Sequence, residues 1–355
     1  MVKSKKLVFA VLVFFAVSAA INTPGALWAS PQKDTPQPAA GSAEPATNEL
    51  LIYSIINEDH IKALSDLFTQ QTGVKVQYFR AATGELVNRV KAEQNNPQAD
   101  ILIGGDSANH VSLAEAGALQ AYTSKAVPAI PAFTRAADGA WTGFCVLTLG
   151  IGINEQRFKE KYPGKAYPQT WDDLNDPAYK GELIFTDPAA SSTGYLFLQS
   201  QLQRFGDDRG WDYFKRLTPL AAQLPASGGA PPQLIGTGEY TIAVAYVHAL
   251  QQYVARGYPV KIVIPPKTVA SFDAISIVKG GPNAVNARRF VDFILSKEAQ
   301  ELFASLSYTI PVNPEAKPLE GAISIDKLDV LDYDFDLAGS QRDAVLNRWR
   351  NEVLK

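Results

Sequence analysis

The chain of 355 residues has few of the residue types and motifs on which many catalytic and metal sites depend. Its one cysteine, Cys145, lies in an apolar run, so there is no disulfide framework, and a chain of this size needs none. The sequence contains no P-loop, CxxC pair, HExxH or GxSxG motif, and no local arrangement of serine, histidine and acid. It therefore gives no sign of a cofactor, a common metal centre or a serine-hydrolase site.

Positive charge is also scarce. The formal net charge is −3, from 33 basic and 36 acidic residues. Loss of residues 1–29, which carry three lysines and no acidic residue, changes it to −6. A mildly acidic protein is a poor partner for nucleic acid or for an anionic membrane surface. We therefore expect neither as a partner.

The N-terminal residues have the composition of a targeting segment followed by a spacer. Three lysines within residues 1–6 precede an apolar run over 7–17, and a small-x-small cleavage site ends at Ala29. We predict a secretory signal peptide over 1–29 and a disordered leader, rich in proline and alanine, over 30–48. The apolar run is short for a bilayer span, and an uncleaved anchor is the alternative. No cysteine stands at the cleavage site, so a soluble periplasmic protein fits best.

Beyond the leader, short apolar strands alternate with segments of helical period. The strands are expected over 50–54, 74–78 and 99–103, and the last helix of this region over 108–116. This alternation predicts parallel βαβ units and an α/β fold. Ligands of such sheets bind outside the carboxyl ends of the strands. The polar residues that we predict to contact a ligand there are Ser54, Asn57, Thr83, Asp106 and Ser107.

Four longer segments complete the secondary-structure prediction. The apolar run 141–154 exceeds one normal strand and is interpreted as two strand segments crossing between domains. Residues 272–278 are interpreted as the return crossing. An amphipathic helix is predicted over 286–304, and a final helix over 338–354 with Trp349 on its packing face.

The stretch 187–195 predicts a tight turn between a strand and a helix that continues to Phe205. Hydroxyl residues at a helix start cap free backbone N–H groups. The same N–H groups, at the positive end of the helix dipole, can instead hold an anion. Ordinary capping accounts well for one hydroxyl residue at a helix start, but less well for the three in succession found here. We therefore predict an anion site that contains Ser191, Ser192, Thr193 and Gly194.

A second turn of this kind comprises Ser227, Gly228 and Gly229. Its glycines allow close backbone approach, and the prolines that follow suit the first turn of a helix. Two such turns close together in the chain indicate N–H groups that converge on an anion, although a pair of plain helix caps is the alternative.

Three further residues join the predicted site. Tyr246 and His248 follow the strand 240–245, where a histidine can donate hydrogen bonds to an anion or bind a metal. A lone histidine is more often structural, so that alternative stays open. Lys267 follows the next strand. His60 and His110 fall on predicted helices and are interpreted as surface or packing residues.

Short motifs spread over residues 50–320 occur in a distinctive order and spacing. They include Asn96-Pro97-Gln98-Ala99-Asp100-Ile101, Trp171-Asp172-Asp173-Leu174, Tyr179-Lys180-Gly181, Ser192-Thr193-Gly194, Gly238-Glu239-Tyr240 and Phe290-Val291-Asp292-Phe293-Ile294-Leu295-Ser296-Lys297-Glu298. Together they resemble periplasmic substrate-binding proteins of ABC importers, in the type 2 branch that includes receptors for ferric iron, hexose phosphates, phosphonates and polyamines.

This resemblance implies a non-enzymatic, monomeric receptor of two α/β domains that close on a ligand about a hinge and deliver it to a membrane permease. The implied first domain comprises 49–150 and 276–320, and the second comprises 151–275. A C-terminal helical segment, 321–355, would pack on both.

The resemblance also bears on the ligand. Ferric-binding members carry two adjacent tyrosines after this strand, because Fe(III) prefers phenolate and carboxylate oxygens. Here the position reads Tyr246-Val247-His248-Ala249, and Asp106 is the acid left in the loop that often supplies a metal carboxylate. Members that bind sugar phosphates similarly place a histidine there and hydroxyls at helix starts. This favours a small phosphorylated or phosphonate anion, with Fe(III) as the alternative and an exported hydrolase as the enzyme alternative.

One residue departs from the sugar-phosphate pattern. An acidic residue that would bind sugar hydroxyls is expected near Lys267, which is basic. A smaller or more anionic organophosphate or phosphonate is therefore as acceptable as a hexose phosphate.

Overall fold

The computed structural model of the protein describes residues 48–322 and 328–354. The predicted signal peptide, and the predicted leader up to residue 47, lie outside the described residues. No helix within the described ranges is long and apolar enough to cross a membrane.

The first part of the chain forms the βαβ units that the hydrophobic pattern predicts. β1 pairs in parallel with both β2 and β3. The elements are β1 (Glu49–Ser54), α1 (Glu58–Thr72), β2 (Lys75–Arg80), α2 (Thr83–Ala92), β3 (Ile101–Asp106), α3 (Ser107–Glu115) and β4 (Leu119–Gln120). β3 extends three residues beyond its predicted end, because the pairing with a later strand continues to Asp106.

One long strand, β5 (Thr142–Asn154), replaces the two strand segments predicted over this region. Its first half pairs with β10 (Ala270–Val278) and its second half with β8 (Ile242–Tyr246) and β9 (Val260–Val263). Gly152 does not break the strand, because its missing side chain makes room for a helix: a Cβ there would lie 2.4 Å from Leu250 Cδ2.

The remaining elements extend the sheet in the order β2-β1-β3-β10-β5-β8-β6-β7. They are α4 (Glu155–Lys161), β6 (Leu183–Ile184), α5 (Ser192–Phe205), α6 (Asp207–Leu217), β7 (Ala221–Gln223), α7 (Ala230–Gly236) and α8 (Val247–Ala255). We call β1–β4 and β10 with α1–α3 the first lobe, and β6–β9 with α4–α8 the second lobe; β5 belongs to both. Helix α8 was not predicted, so His248 lies in a helical first turn instead of at a strand end.

Two helices, α9 (Ala284–Ile294) and α10 (Lys297–Ser307), occupy the region predicted as one. The break is a helix cap, since the Ser296 side chain accepts a hydrogen bond from the Ala299 amide at 3.2 Å. Both helices pack on the first lobe, and the short strand β11 (Ile310–Pro311) that follows pairs with β5.

The predicted final helix is likewise divided, into α11 (Phe335–Ser340), α12 (Arg342–Arg348) and a π-helical turn over Trp349–Val353. α11 starts earlier than predicted because the Asp334 side chain caps it, accepting from the Leu337 amide at 2.8 Å. We call residues 328–354 the C-terminal strap.

Helix α5 is held rigidly in the core of the second lobe. All residues from Ser192 to Leu202 are buried. The Phe197 ring packs edge-on against Phe185 and Phe214, and Phe214 against Trp349 of the strap. Each fully buried aromatic or aliphatic side chain stabilises the fold by about 1.5–3 kcal/mol. The start of α5 is thus a fixed platform.

Candidate functional site

The first residues of four helices, α1, α2, α5 and α8, line one cleft between the two lobes. Its volume is about 700 Å³, including the open mouth. The predicted site residues that it brings together are Asn57, Thr83, Ser191, Ser192, Thr193, Ser227, Gly228, Gly229, Tyr246 and His248. The parallel βαβ order accounts for this convergence, because the carboxyl ends of the strands meet at one edge of the sheet.

Three of the predicted residues lie below the cleft surface instead. Ser54 is fully buried and its hydroxyl is 3.4 Å from the Ile56 carbonyl oxygen. Asp106 caps α3 and also accepts a hydrogen bond from the Ser271 hydroxyl. Ser107 is the first residue of α3 and is completely buried. The unpredicted extension of β3 carries these last two residues beneath the surface.

Gly194 and Lys267 do not line the cleft either. Gly194 serves packing, since a Cβ there would lie 2.4 Å from the Thr186 carbonyl oxygen. Lys267 points to solvent and forms an ion pair with Asp329 at 2.7 Å. A basic residue at this position therefore says little about the ligand.

Three cleft residues with ionisable side chains escaped the sequence prediction: Arg80, Asp273 and His60. Arg80 ends β2, two residues beyond the predicted end of that strand. Asp273 is an acid inside an apolar strand, a pattern that can indicate a functional residue but was interpreted only as a crossing. His60 does pack, edge-on to Phe303 with ring centroids 5.5 Å apart, but it also lines the cleft. His110 is a packing residue, bonded to Ser276 and to the Gly104 carbonyl.

The cleft carries one cationic side chain among the described residues that line it, Arg80. Within the described ranges Arg80 forms no ion pair. Burial lowers the pKa of His248 to about 3, with a further contribution from His60. Burial likewise lowers the pKa of His60. Both histidines are therefore neutral near pH 7, and Arg80 supplies the positive charge.

A pair of carboxyl groups lies at the floor of the cleft. Asp273 of β10 and Asp106 of β3 are directly opposed in the strand register. Burial, together with the charge of Asp106, raises the pKa of Asp273 to about 7, while a hydrogen bond from the Gly105 amide opposes the shift. Burial also raises the pKa of Asp106, to about 6. Of the two, Asp273 is the one that lines the cleft.

The start of α5 is left with unsatisfied hydrogen-bond donors. Ser191 occupies the N-cap position, but its side chain makes no capping hydrogen bond. The Ser192 amide donates to Thr83 Oγ1 of the first lobe at 3.3 Å. Among the described residues, the amides of Thr193 and Gly194 have no acceptor. Free amides at a helix N-terminus are able to bind an anion.

Two buried polar atoms beside α5 also lack partners within the described part of the chain: the Tyr246 hydroxyl and His248 Nδ1. The hydroxyls of Ser192 and Thr193 lie near enough to Tyr246 to favour its ionised form, but burial dominates and raises its pKa well above the usual value. Leaving such groups unpaired costs about 1–3 kcal/mol each. A polar ligand in the cleft would satisfy them.

The turn over Ser227, Gly228 and Gly229 packs directly on α5. A Cβ on Gly228 would lie 2.6 Å from Thr193 Oγ1. Gly229 brings the turn near the other lobe, since a Cβ there would lie 4.0 Å from Asn57 Oδ1. Glycine therefore serves close approach here, as predicted.

The two lobes touch across the cleft. The Gly84 amide of α2 donates to the Ala190 carbonyl oxygen at 3.1 Å. A Cβ on Gly84 would lie 2.2 Å from the Ala189 carbonyl oxygen, so no other residue fits without displacement. With the hydrogen bond between Thr83 and Ser192, these contacts describe a closed cleft.

Metal ligands are sparse at this site. No group of three or more His, Cys, Asp or Glu side chains converges on one point in the described ranges. The cleft itself offers Asp273, Tyr246, His60 and His248 as potential ligands.

Known proteins share both the sequence pattern and the architecture. An uncharacterised protein of Haemophilus influenzae is 33% identical over 327 residues, which cover 88% of this chain and 93% of that protein. A Salmonella paratyphi A protein, provisionally named a 2-aminoethylphosphonate-binding periplasmic protein, is 28% identical over 71% of this chain and 74% of its own length.

Among solved structures, the periplasmic binding protein AfuA of Actinobacillus pleuropneumoniae, with exogenous fructose-6-phosphate bound, superposes with a TM-score of 0.83. It is 31% identical and covers 86% of this chain and 98% of its own. This match confirms the predicted α/β periplasmic-binding-protein fold. The family model described as bacterial extracellular solute-binding protein matches residues 96–336, about two thirds of the chain. This protein therefore belongs to the family of bacterial extracellular solute-binding proteins.

Proposed function

We propose that this protein is the periplasmic receptor of an ABC importer, which captures a small phosphorylated or phosphonate organic anion in the cleft and delivers it to a membrane permease. The observation that carries the proposal is the start of α5, which has no side-chain cap and whose Thr193 amide has no acceptor among the described residues, in a cleft that Arg80 lines. The fructose-6-phosphate of AfuA and the name of the Salmonella relative support a phosphoryl-containing solute. We further propose that the receptor is monomeric and catalyses no reaction.

The phosphoryl group is assigned to the start of α5 and the turn that packs on it. The hydroxyls of Ser191 and Thr193 lie beside Gly228, and the Thr193 amide has no acceptor in the described part of the chain. Arg80 supplies the charge. Phosphoryl oxygens need many N–H and O–H donors, and charge-assisted hydrogen bonds from arginine are about twice as strong as neutral ones.

The organic part of the solute is assigned to the floor of the cleft. Asp273, His248 and Tyr246 line it, and the Tyr246 hydroxyl has no partner among the residues that the structure describes. A carboxyl group and a neutral histidine suit the hydroxyl groups of a solute. In this proposal Asp273 takes the role of the acid that the sequence lacks near Lys267. This removes the objection to a hydroxyl-rich organophosphate.

Calorimetric titration of the ligand-free protein tests the proposal. We expect sugar phosphates, other phosphate esters or phosphonates to bind, each titrated alone, and Fe(III) to give no saturable heat. Arg80→Gln should weaken binding roughly 10- to 100-fold, because it removes a charge-assisted hydrogen bond of about 1.5–3 kcal/mol. Arg209→Gln, an exposed arginine outside the cleft, is the matched control and should change nothing.

Tight Fe(III) binding with a visible charge-transfer band, and no response to any phosphorylated compound, would overturn the proposal in favour of a ferric receptor. Turnover of a phosphate ester by the protein would point instead to an exported hydrolase.

A further inference from the structure

The C-terminal strap carries a buried cation that the cleft does not use. Arg342 is only 3% exposed. Its Nε donates to Asn109 Oδ1 at 3.0 Å, and its guanidinium carbon lies 5.1 Å from the centre of the Tyr195 ring. No carboxylate of the described residues lies within ion-pair distance of it. Burying a charge without an ion partner is costly, so a purely structural position would favour an apolar residue.

The two partners of Arg342 belong to different lobes. Asn109 is in the first turn of α3 in the first lobe, and its Nδ2 donates to the Asp106 carbonyl oxygen at 3.0 Å. Tyr195 is in the first turn of α5 in the second lobe, three residues after Ser192. Arg342 therefore lies behind the helix start that we assign to the phosphoryl group and connects it to the other side of the cleft.

The rest of the strap is fastened to both lobes around this point. On the second lobe, Trp349 Nε1 donates to Asp187 at 3.1 Å, and the Tyr195 hydroxyl donates to the strap carbonyl of Ala338. On the first lobe, Gly339 packs so closely on α3 that a Cβ there would lie 2.3 Å from Val111 Cγ1. When the lobes separate, contacts on one of the two sides must break.

We propose that Arg342 is a positioning residue that stabilises the closed cleft by tying the first turn of α3 to the first turn of α5. Ligand-induced closure brings Asn109 and Tyr195 close enough together for the Arg342 guanidinium to contact both. Opening removes one of these contacts and leaves the buried cation less satisfied. The inference rests on the proposed closure of the cleft about a solute, but it does not depend on which solute is bound.

Arg342→Met and Arg348→Met form a matched pair of variants. Methionine keeps an unbranched apolar side chain similar to the aliphatic part of arginine and removes the guanidinium group with its charge. Arg348 lies in the same strap and also covers an aromatic ring, Trp211, but its ion pairs are with Asp207 of the second lobe and with Glu352 of the strap itself. Its contacts therefore do not bridge the lobes.

The readout is the distance between the lobes, measured by energy transfer between dyes on Asp66→Cys of α1 and Glu160→Cys of α4. Cys145 is fully buried, so it should not react. We expect Arg342→Met to enrich the open population without ligand, and to raise the dissociation rate of any solute that binds at least about tenfold, about 1.4 kcal/mol. Its melting temperature should change little, because removal of a costly buried charge is offset by the buried Asn109 Oδ1 that loses its donor.

A distance distribution and a dissociation rate equal to wild type in Arg342→Met would overturn the inference, as would equal effects of Arg348→Met. A lower melting temperature together with an unchanged distance distribution would identify Arg342 as merely structural. If no phosphorylated solute binds, the proposed function fails, but the distances without ligand still decide the role of Arg342.

Discussion

At the scale of single residues, glycine sets how closely the two lobes approach. Gly84 follows an ordinary extended loop and begins an ordinary helix, so the sequence indicates only a helix start. The structure shows why a side chain is absent: α2 approaches the chain at Ala189 and Ala190 in the other lobe. We expect this requirement to apply only while the cleft is closed.

Gly84→Ala should therefore weaken solute binding without unfolding the protein. Alanine favours a helix over glycine by about 1 kcal/mol, so the open form should be as stable or more stable. In the closed form the added methyl group collides with a carbonyl oxygen, and overpacking of this kind costs about 1–3 kcal/mol, or roughly 5- to 150-fold in affinity. Calorimetry and thermal melting measure the two effects.

Glu85→Ala, an exposed change at the next position, is the control and should leave affinity unchanged. An unaltered affinity in Gly84→Ala would mean that the solute binds without the lobe contact at Ala190.

At the scale of elements, two helix starts allow an ordinary N-cap to be compared with a proposed anion site. Ser296 and Ser191 occupy the same position, N-cap, before α10 and α5. Ser296 accepts a hydrogen bond from the Ala299 amide, whereas Ser191 makes no capping bond. The same residue type thus serves a helix in one place and leaves donors free in the other.

Ser296→Ala should lower the free energy of unfolding by about 1 kcal/mol, the usual value of a serine cap. Ser191→Ala should leave it nearly unchanged but weaken solute binding, because the lost hydroxyl belongs to the cleft. Urea denaturation with linear extrapolation measures the first effect and calorimetry the second. A loss of stability in Ser191→Ala equal to that in Ser296→Ala would favour plain capping at α5.

Elements with strong periodicity were predictable, and elements shaped by their neighbours were not. β1, α1, β2 and α5 follow directly from apolar spacing and turn residues. β5 was divided in prediction because its length exceeds a normal strand, yet both lobes pair with it. The break at Ser296 interrupts an apolar stripe that continues on both sides, so periodicity alone conceals it.

The candidate site shows the same division. Helix starts such as Thr83 and Ser191–Thr193 can be recognised from local turn chemistry, and the topology brings them together. Whether Arg80 and Asp273 reach the cleft depends on how far their strands extend and on which side each strand faces. Pairing between strands that are distant in sequence decides both. Lys267 was misplaced for the same reason.

At the scale of the whole molecule, the comparisons confirm the predicted family, fold and periplasmic location. The structure adds how closure is organised. β5 runs through both lobes, the first-lobe loops face the start of α5, and the strap holds the two lobes from outside the cleft. Asp273 lies where strands of the two lobes meet, and its burial gives the ionised form of this carboxyl group an electrostatic cost.

That electrostatic cost predicts a pH dependence of stability in the ligand-free protein. Burial raises the pKa of Asp273 from 3.8 to about 7. Between these values the unfolded chain releases a proton that the folded chain keeps, so this group lowers the free energy of unfolding as pH rises. The melting temperature of Asp273→Asn, measured relative to that of wild type, should therefore rise from pH 4 to pH 7 and remain constant above pH 7.

Glu182→Gln should behave in the opposite way and serves as the control. Against the effect of burial, hydrogen bonds from Arg157, Thr241 and Lys161 lower the pKa of Glu182 to about 2 from 4.5. Its stabilising contribution is complete above about pH 4.5 and is lost as pH falls toward 2. The melting temperature of Glu182→Gln should therefore lie furthest below that of wild type at neutral pH. A melting-temperature difference for Asp273→Asn that stays constant from pH 4 to 7 would mean that Asp273 is ionised throughout, and that the floor of the cleft is well solvated without a solute.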